Sequence, residues 1–168
     1  MPSELSWYFA YGSNLKKNRL KERIGHWKKD QKATLNGYRL TFAKGYCGHK
    51  NGKANIKKGP TGKVEGAICL ISEDQFKKLD IKEGARIGVY KRILIQVESR
   101  GETFNAQTYV MTREIYSSRP SPEYLYLITE GLKEHGYGSD VIDKVNRIAC
   151  MSNISLMAPY TFSRRASS

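Results

Sequence analysis

Over residues 90–98, apolar Ile93, Ile95 and Val97 alternate with Arg92, Leu94 and Gln96, and over 103–111 the residues Phe104, Ala106 and Val110 share one face. A period of two marks strands with a covered side. Only Ser99-Arg100-Gly101-Glu102 separates the two runs, which is enough for a hairpin and too short for the crossover that parallel neighbours require. The middle of the chain is therefore committed to antiparallel sheet, and the rest must fold around it.

Further strands are expected at 7–11, 38–43, 54–57 and 64–71, each bounded by Gly, Asn or Pro turn signals. Helices are isolated between them. One is expected over 15–24, with Ser13-Asn14 as N-caps and Leu15, Arg19, Leu20 and Arg23 in a short amphipathic pattern. A second follows the capping box Ser72-Glu73-Asp74-Gln75, carries Phe76 and Leu79 on one face and stops at Gly84. A third opens at Ser121-Pro122, places Leu125, Ile128 and Leu132 at helical spacing and ends at Gly136 and Gly138; a fourth runs from Ser139 to about Ala149. Strands interrupted by single helices predict an α+β domain with a mainly antiparallel or mixed sheet, and disfavour a doubly wound parallel fold. One domain is expected over 1–150, with 151–168 an extended or partly disordered tail. The Arg164-Arg165-Ala166-Ser167 pattern in it has the form of a kinase site but is read as a frayed end.

Composition narrows the class. With 168 residues, 39% hydrophobic and 27% charged, the chain suits one globular core and neither a fibrous nor a disordered protein. The longest apolar stretches, such as 67–71, are strand-sized, far below the ~18 residues of a membrane span, and no secretory leader precedes them, so a cytoplasmic protein is expected. Three scattered cysteines, Cys47, Cys69 and Cys150, argue for reduced thiols. Cys47 and His49 have no second pair at ligand spacing, and His26 and His135 stand alone, so no metal site is expected.

The net charge is +13, and its distribution is uneven: residues 1–60 carry 14 basic and 3 acidic side chains, residues 61–168 carry 15 and 13. Clustered Lys and Arg invite a nucleic-acid partner. The clusters Lys16-Lys17 and Lys28-Lys29 lie among polar loops and one amphipathic helix, and no nucleic-acid-binding signature is present, so a solvated basic face is the expectation. The same field would attract small anionic substrates.

Three features carry chemistry. Tyr8-Phe9-Ala10-Tyr11-Gly12-Ser13-Asn14-Leu15 runs from a strand through a Gly turn into a helix start, a geometry that gathers backbone N–H groups for a carboxylate or phosphate and also serves as a plain turn. Glu83 falls at the end of the Ser72 helix, where the negative end of the dipole disfavours an ionised carboxylate and favours a general acid/base if the site is dry. Asp80, three residues earlier, reads as a helix-surface residue. Tyr90, Tyr109 and Tyr124 stand at strand and helix starts among eleven tyrosines, most of which are expected in the core or at its rim.

Together these residues resemble the γ-glutamylcyclotransferases. The Tyr8–Leu15 block is similar to that family's substrate-binding loop, and Leu79-Asp80-Ile81-Lys82-Glu83-Gly84 followed by Gly88-Val89-Tyr90 looks like its Asp-x-x-Glu-Gly segment. Gly52-Lys53-Ala54-Asn55-Ile56, Val64-Glu65-Gly66-Ala67, Tyr109-Val110-Met111 and Pro120-Ser121-Pro122-Glu123-Tyr124 follow in the family's order, so the likeness covers residues 7–149. The resemblance implies an AIG2-like fold, a small mixed β-barrel with helices around it. It implies a cofactor-free lyase that cyclises a γ-glutamyl amino acid or amine to 5-oxoproline, a step of glutathione metabolism insensitive to chelators. Glu83 would be catalytic; Tyr8, Phe9, Ala10, Tyr11, Gly12, Ser13, Asn14, Leu15, Asn55, Tyr90, Tyr109 and Tyr124 would bind substrate. The basic N-terminal third, the 45–53 loop and the tail depart from the pattern where the part beyond the glutamyl group would lie, so the substrate stays open between amino acids, amines and a γ-glutamyl group on a larger partner. A basic nucleic-acid-binding or scaffold module is the alternative of another class, and a homodimer is left open.

Overall fold

A computed structural model describes residues 3–45 and 49–152. The elements run β1 (Leu5–Ala10), α1 (Lys17–Ile24), β2 (Asp30–Gly45), β3 (Lys53–Ser72), α2 (Glu73–Lys82), β4 (Tyr90–Ser99), β5 (Glu102–Met111), β6 (Glu114–Ser117), α3 (Pro122–Glu134) and α4 (Ser139–Met151). The strands are ordered β3-β1-β5-β4-β2, and β2 pairs back onto β3, so five strands close into a barrel with β6 added on β2. Closure leaves no unpaired edge in the ring. β1 and β5 are parallel, with Trp7 opposite Ala106 and Tyr8 opposite Gln107, while the other pairings are antiparallel.

The central hairpin forms with Ser99 opposite Glu102. Arg100 and Gly101 both take positive φ, 51° and 77°, as a two-residue turn matching strand twist demands. On β4, Ile95 and Val97 are buried and Leu94 is exposed, as the alternation requires.

Three expectations need correction. The strands expected at 54–57 and 64–71 are one strand, β3, because the Gly59-Pro60-Thr61-Gly62 segment does not turn the chain. Tyr38 faces Lys58 and Asn36 faces Lys63, so the segment is accommodated as an irregularity in the ladder, where a proline without N–H is tolerated. β2 begins at Asp30, eight residues before the expected start, and β6 was not foreseen. The helix expected from Leu15 is divided: Ser13–Leu15 is a single 3₁₀ turn, and α1 starts at Lys17 with no side-chain cap. Ser13 and Asn14 therefore do not cap a helix.

The capping box holds, with Gln75 N–H donating to Ser72 Oγ (3.2 Å) and Ser72 N–H to Gln75 Oε1 (3.0 Å). Gln75 Nε2 also donates to the His26 carbonyl (2.7 Å), tying α2 to the end of α1. Phe9, Phe42, Ile68 and Ile71 from the strands, Phe76 and Leu79 from α2, and Ile128 and Leu132 from α3 form one continuous core. Among the described residues no helix is long and apolar enough to cross a membrane. Cys69 is buried and Cys150 exposed, both as free thiols; Cys47 and the Arg164-Arg165-Ala166-Ser167 pattern lie outside the described residues.

Candidate active site

The site is built where β1 leaves the barrel. Leu15 N–H donates to the Gly12 carbonyl (3.0 Å) and Lys16 N–H to the Ser13 carbonyl (3.2 Å), closing a tight turn with Ser13, Asn14 and Leu15 buried. Helix α3 lies directly on that turn. A Cβ at Gly131 would stand 2.5 Å from the Leu15 backbone, so only a glycine allows this approach. The cradle expected at a helix N-terminus is thus a packed 3₁₀ turn.

From the other side comes Glu83, the C-cap of α2. Gly84 adopts left-handed φ of +66°, which ends the helix and turns the chain toward Tyr90. Asn14 Nδ2 donates to Glu83 Oε1 (3.1 Å), and Arg23 Nη1 lies 3.3 Å from the same oxygen. Residues far apart in sequence thereby share one hollow, lined by Tyr8, Tyr11, Gly12, Ser13 and Asn14 from β1 and its turn, Ala54 from β3, Glu83, Tyr90 from β4, Thr108 and Tyr109 from β5, and Tyr124 from α3. Burial raises the Glu83 carboxyl above the usual carboxylate range, and Arg23, Asn14 and Arg19 oppose but do not cancel that effect. Such a group exchanges protons more readily near neutrality than an exposed Glu.

The tyrosines divide by where their hydroxyls point. Tyr11 donates to the Tyr109 carbonyl (2.5 Å), Tyr90 to the Ala54 carbonyl (2.9 Å) and Tyr109 to Asp80 Oδ1 (2.6 Å), so these three protons are already used within the fold. Asp80 is in turn held by Arg92 at 2.8 Å, which gives the residue a structural duty more specific than the exposed helix surface expected of it. Tyr8 and Tyr124 instead accept, from Asn14 Nδ2 (2.9 Å) and from the Ala54 N–H (3.0 Å). Neither has an acceptor for its own proton among the described residues, so both can donate to a bound molecule. Burial keeps them protonated: Tyr8 is pushed well above its ordinary value and Tyr124 to about 12.

Four expected residues do not line the hollow. Phe9, Ala10 and Leu15 are fully buried core residues that do not reach it. Asn55 is buried with Nδ2 donating to Glu114 Oε2 (2.8 Å) and Oδ1 accepting from the Met111 N–H (3.0 Å), a tie among strands that directs its amide away from the hollow. The sequence reading missed Ala54 and Thr108 as lining residues. It also missed an outer chamber that shares Ser13, Glu83, Tyr90 and Tyr124 with the hollow and adds Arg19, Arg23 and Lys53. The four-residue spacing of Arg19 and Arg23 on one face of α1 was the available signal. Among the described residues no three His, Cys, Asp or Glu side chains gather as a metal site would need.

The mouth of this closed mixed barrel thus sets one buried carboxyl, raised by its burial, beside two tyrosine hydroxyls whose protons have no acceptor among the described residues. Comparison with known proteins narrows this. Residues 8–131 match the family model described as gamma-glutamyl cyclotransferase, AIG2-like, and the chain belongs to that family. It is 34% identical over 151 residues to a gamma-glutamylcyclotransferase of Mus musculus, covering 84% of this chain and 77% of the other, and 33% identical over 158 residues to that of Homo sapiens, covering 88% and 81%. A solved gamma-glutamyl cyclotransferase structure superposes with a TM-score of 0.80 at 28% identity, covering 98% of this chain and 95% of that one.

Proposed function

We propose that this chain converts a γ-glutamyl amino acid or amine to 5-oxoproline and the free amino acid or amine, with Glu83 as its acid/base. The α-amine of the glutamyl group attacks the γ-amide carbon, forming the ring C–N bond; the bond to the leaving nitrogen then breaks. Nucleophile and electrophile belong to one molecule, so the protein's main task is to hold a near-attack conformer, an effect worth up to roughly 7–11 kcal/mol. Glu83 takes a proton from the attacking nitrogen and returns one to the departing nitrogen, so the carboxyl ends as it began. The Tyr8 and Tyr124 hydroxyls would donate to the glutamyl carboxylate or to the oxygen that gains charge, and the backbone at Gly12 and Ser13 would close the remaining side.

The contact between Asn14 and Glu83 carries this reading, because it sets the motif after β1 against the one carboxyl that lines the hollow among the described residues. The test is 5-oxoproline release from γ-glutamyl compounds by the protein and by Glu83→Gln. A general acid/base typically contributes ~10²–10⁴ in rate, so the variant should lose at least a hundredfold while still binding substrate. A Gln variant that kept most of its rate would refute the role given to Glu83.

A further inference from the structure

The outer chamber is strongly unbalanced in charge. Arg19, Arg23, Lys53 and Lys82 line it, and among the described residues Glu83 is the only acidic one in its walls. Arg23 is committed to Glu83 at 3.3 Å. Arg19 uses its Nε on Ser13 Oγ (3.0 Å), and the Lys53 ammonium sits 4.2 Å from the centre of the Tyr124 ring. Neither Arg19 nor Lys53 has a carboxylate within ion-pair distance among the described residues. Both are half-buried, and their charged forms are disfavoured first by lost hydration and then by neighbouring cations. Two such groups side by side are costly unless an anion joins them.

The α-carboxylate is the one anion every γ-glutamyl head brings, and the reading above seats it against the Gly12–Ser13 backbone and the Tyr8 and Tyr124 hydroxyls, which leaves Arg19 and Lys53 to charge on the leaving part. Ser13, Glu83, Tyr90 and Tyr124 line both the hollow and the chamber, so the chamber with Lys53 and Arg19 is the space adjoining a glutamyl group held at Glu83. We infer that Arg19 and Lys53 select substrates whose leaving amine carries two negative charges, an acidic amino acid for instance, over those carrying one or none. This rests on the cyclotransferase reading above and specifies the half of the substrate which that reading leaves open.

The test compares three compounds with one glutamyl head and leaving groups of falling charge: γ-glutamyl-glutamate, γ-glutamyl-alanine and γ-glutamylethylamide. Charge-assisted hydrogen bonds at a partly buried site correspond to about tenfold or more in kcat/KM between the first compound and the last, with the alanine derivative between them. Lys53→Gln and Arg19→Gln should each shrink the ratio of diacid to ethylamide, mainly through KM. Preference for the alanine compound over the diacid in the wild type overturns the inference. So does a uniform loss on all three compounds in both variants, which would assign the cations to the shared glutamyl carboxylate. Failure of the wild type to release 5-oxoproline from any of the three is a separate outcome that overturns the activity itself, and the inference with it.

Discussion

At the scale of single residues, Glu83 has opposed requirements for stability and for chemistry. Its carboxyl is raised in the fold, so the folded protein binds that proton more tightly than the unfolded chain does. The stability this contributes is present at low pH, below the ordinary carboxyl value, and is lost as pH rises through the raised one. At neutral pH, Glu83→Gln should therefore melt no lower than wild type although it is inactive; a clearly lowered Tm would show that the carboxylate holds the site together. Proton acceptance needs the ionised form, so the acidic limb of kcat/KM against pH should lie above the ~4.3 of an ordinary Glu. Arg23 favours ionisation, so Arg23→Gln should move that limb to higher pH and Arg23→Lys should restore part of the shift; an unmoved limb would make Arg23 a structural residue only. The tyrosines offer a sharper contrast. Tyr124→Phe and Tyr11→Phe each take the partner from a buried backbone group, the Ala54 N–H and the Tyr109 carbonyl, and each should cost about 1–3 kcal/mol in a denaturant melt, but only Tyr124→Phe also removes a donor from the hollow and should lower kcat. Equal losses of kcat in the two variants would contradict the division of the hydroxyls. The motif around residues 8–15 and Glu83 were legible because they are local words with chemical meaning. Which tyrosine keeps a free proton was not, because that depends on acceptors supplied by distant strands, such as the Ala54 carbonyl that takes the Tyr90 proton.

At the scale of elements, α3 sets the position of the turn that forms one wall of the hollow. Its Gly131 faces Leu15 and Lys16 with no room for a methyl group, and its Glu134 accepts from the Lys17 N–H (2.9 Å) and pairs with Lys16. Gly131→Ala would improve helix propensity in isolation. In this fold it must push α3 away from residues 13–16, with an overpacking cost of about 1–3 kcal/mol. The expected outcome is a lower Tm together with a fall in kcat/KM, because the displaced turn carries Ser13 and Asn14; a variant as active and as stable as wild type would show that the turn is held from elsewhere. Elements with strong local grammar, the β4–β5 hairpin and the capped α2 and α3, were readable from the chain. The 3₁₀ turn was not, since Ser13 and Asn14 are as well suited to capping as to burial, and only the contact with α3 and Glu83 decides between them. The length of β3 escaped for a similar reason: a Gly-Pro-Thr-Gly segment has turn chemistry, and the long partner strand β2 overrides it.

At the scale of the whole molecule, the parallel pairing of β1 with β5 converts an antiparallel meander into a closed barrel and brings the chain's first motif beside the end of α2. Periodicity within any one segment cannot reveal that pairing, which is why a mixed barrel followed from family resemblance while composition and pattern reached only a mixed or antiparallel sheet. Closure also explains part of the uneven charge. Two N-terminal cations meet acidic partners from the later part of the chain, Lys16 with Glu134 and Lys57 with Glu114, while Arg19, Arg23 and Lys53 converge on the mouth of the site. The net charge of +13 adds a long-range attraction for anions that salt weakens as the Debye length falls. Raising ionic strength from about 0.05 to about 0.5 M should raise KM several-fold for γ-glutamyl-glutamate and far less for γ-glutamylethylamide, with kcat little changed for either. The half-buried part of the attraction, at Arg19 and Lys53, is screened less than the surface part, so a residual preference for the diacid should persist at the higher salt. A preference that vanished there would place the selectivity in the surface field instead of the chamber, and an identical salt response for both compounds would remove electrostatics from the recognition of the leaving group altogether.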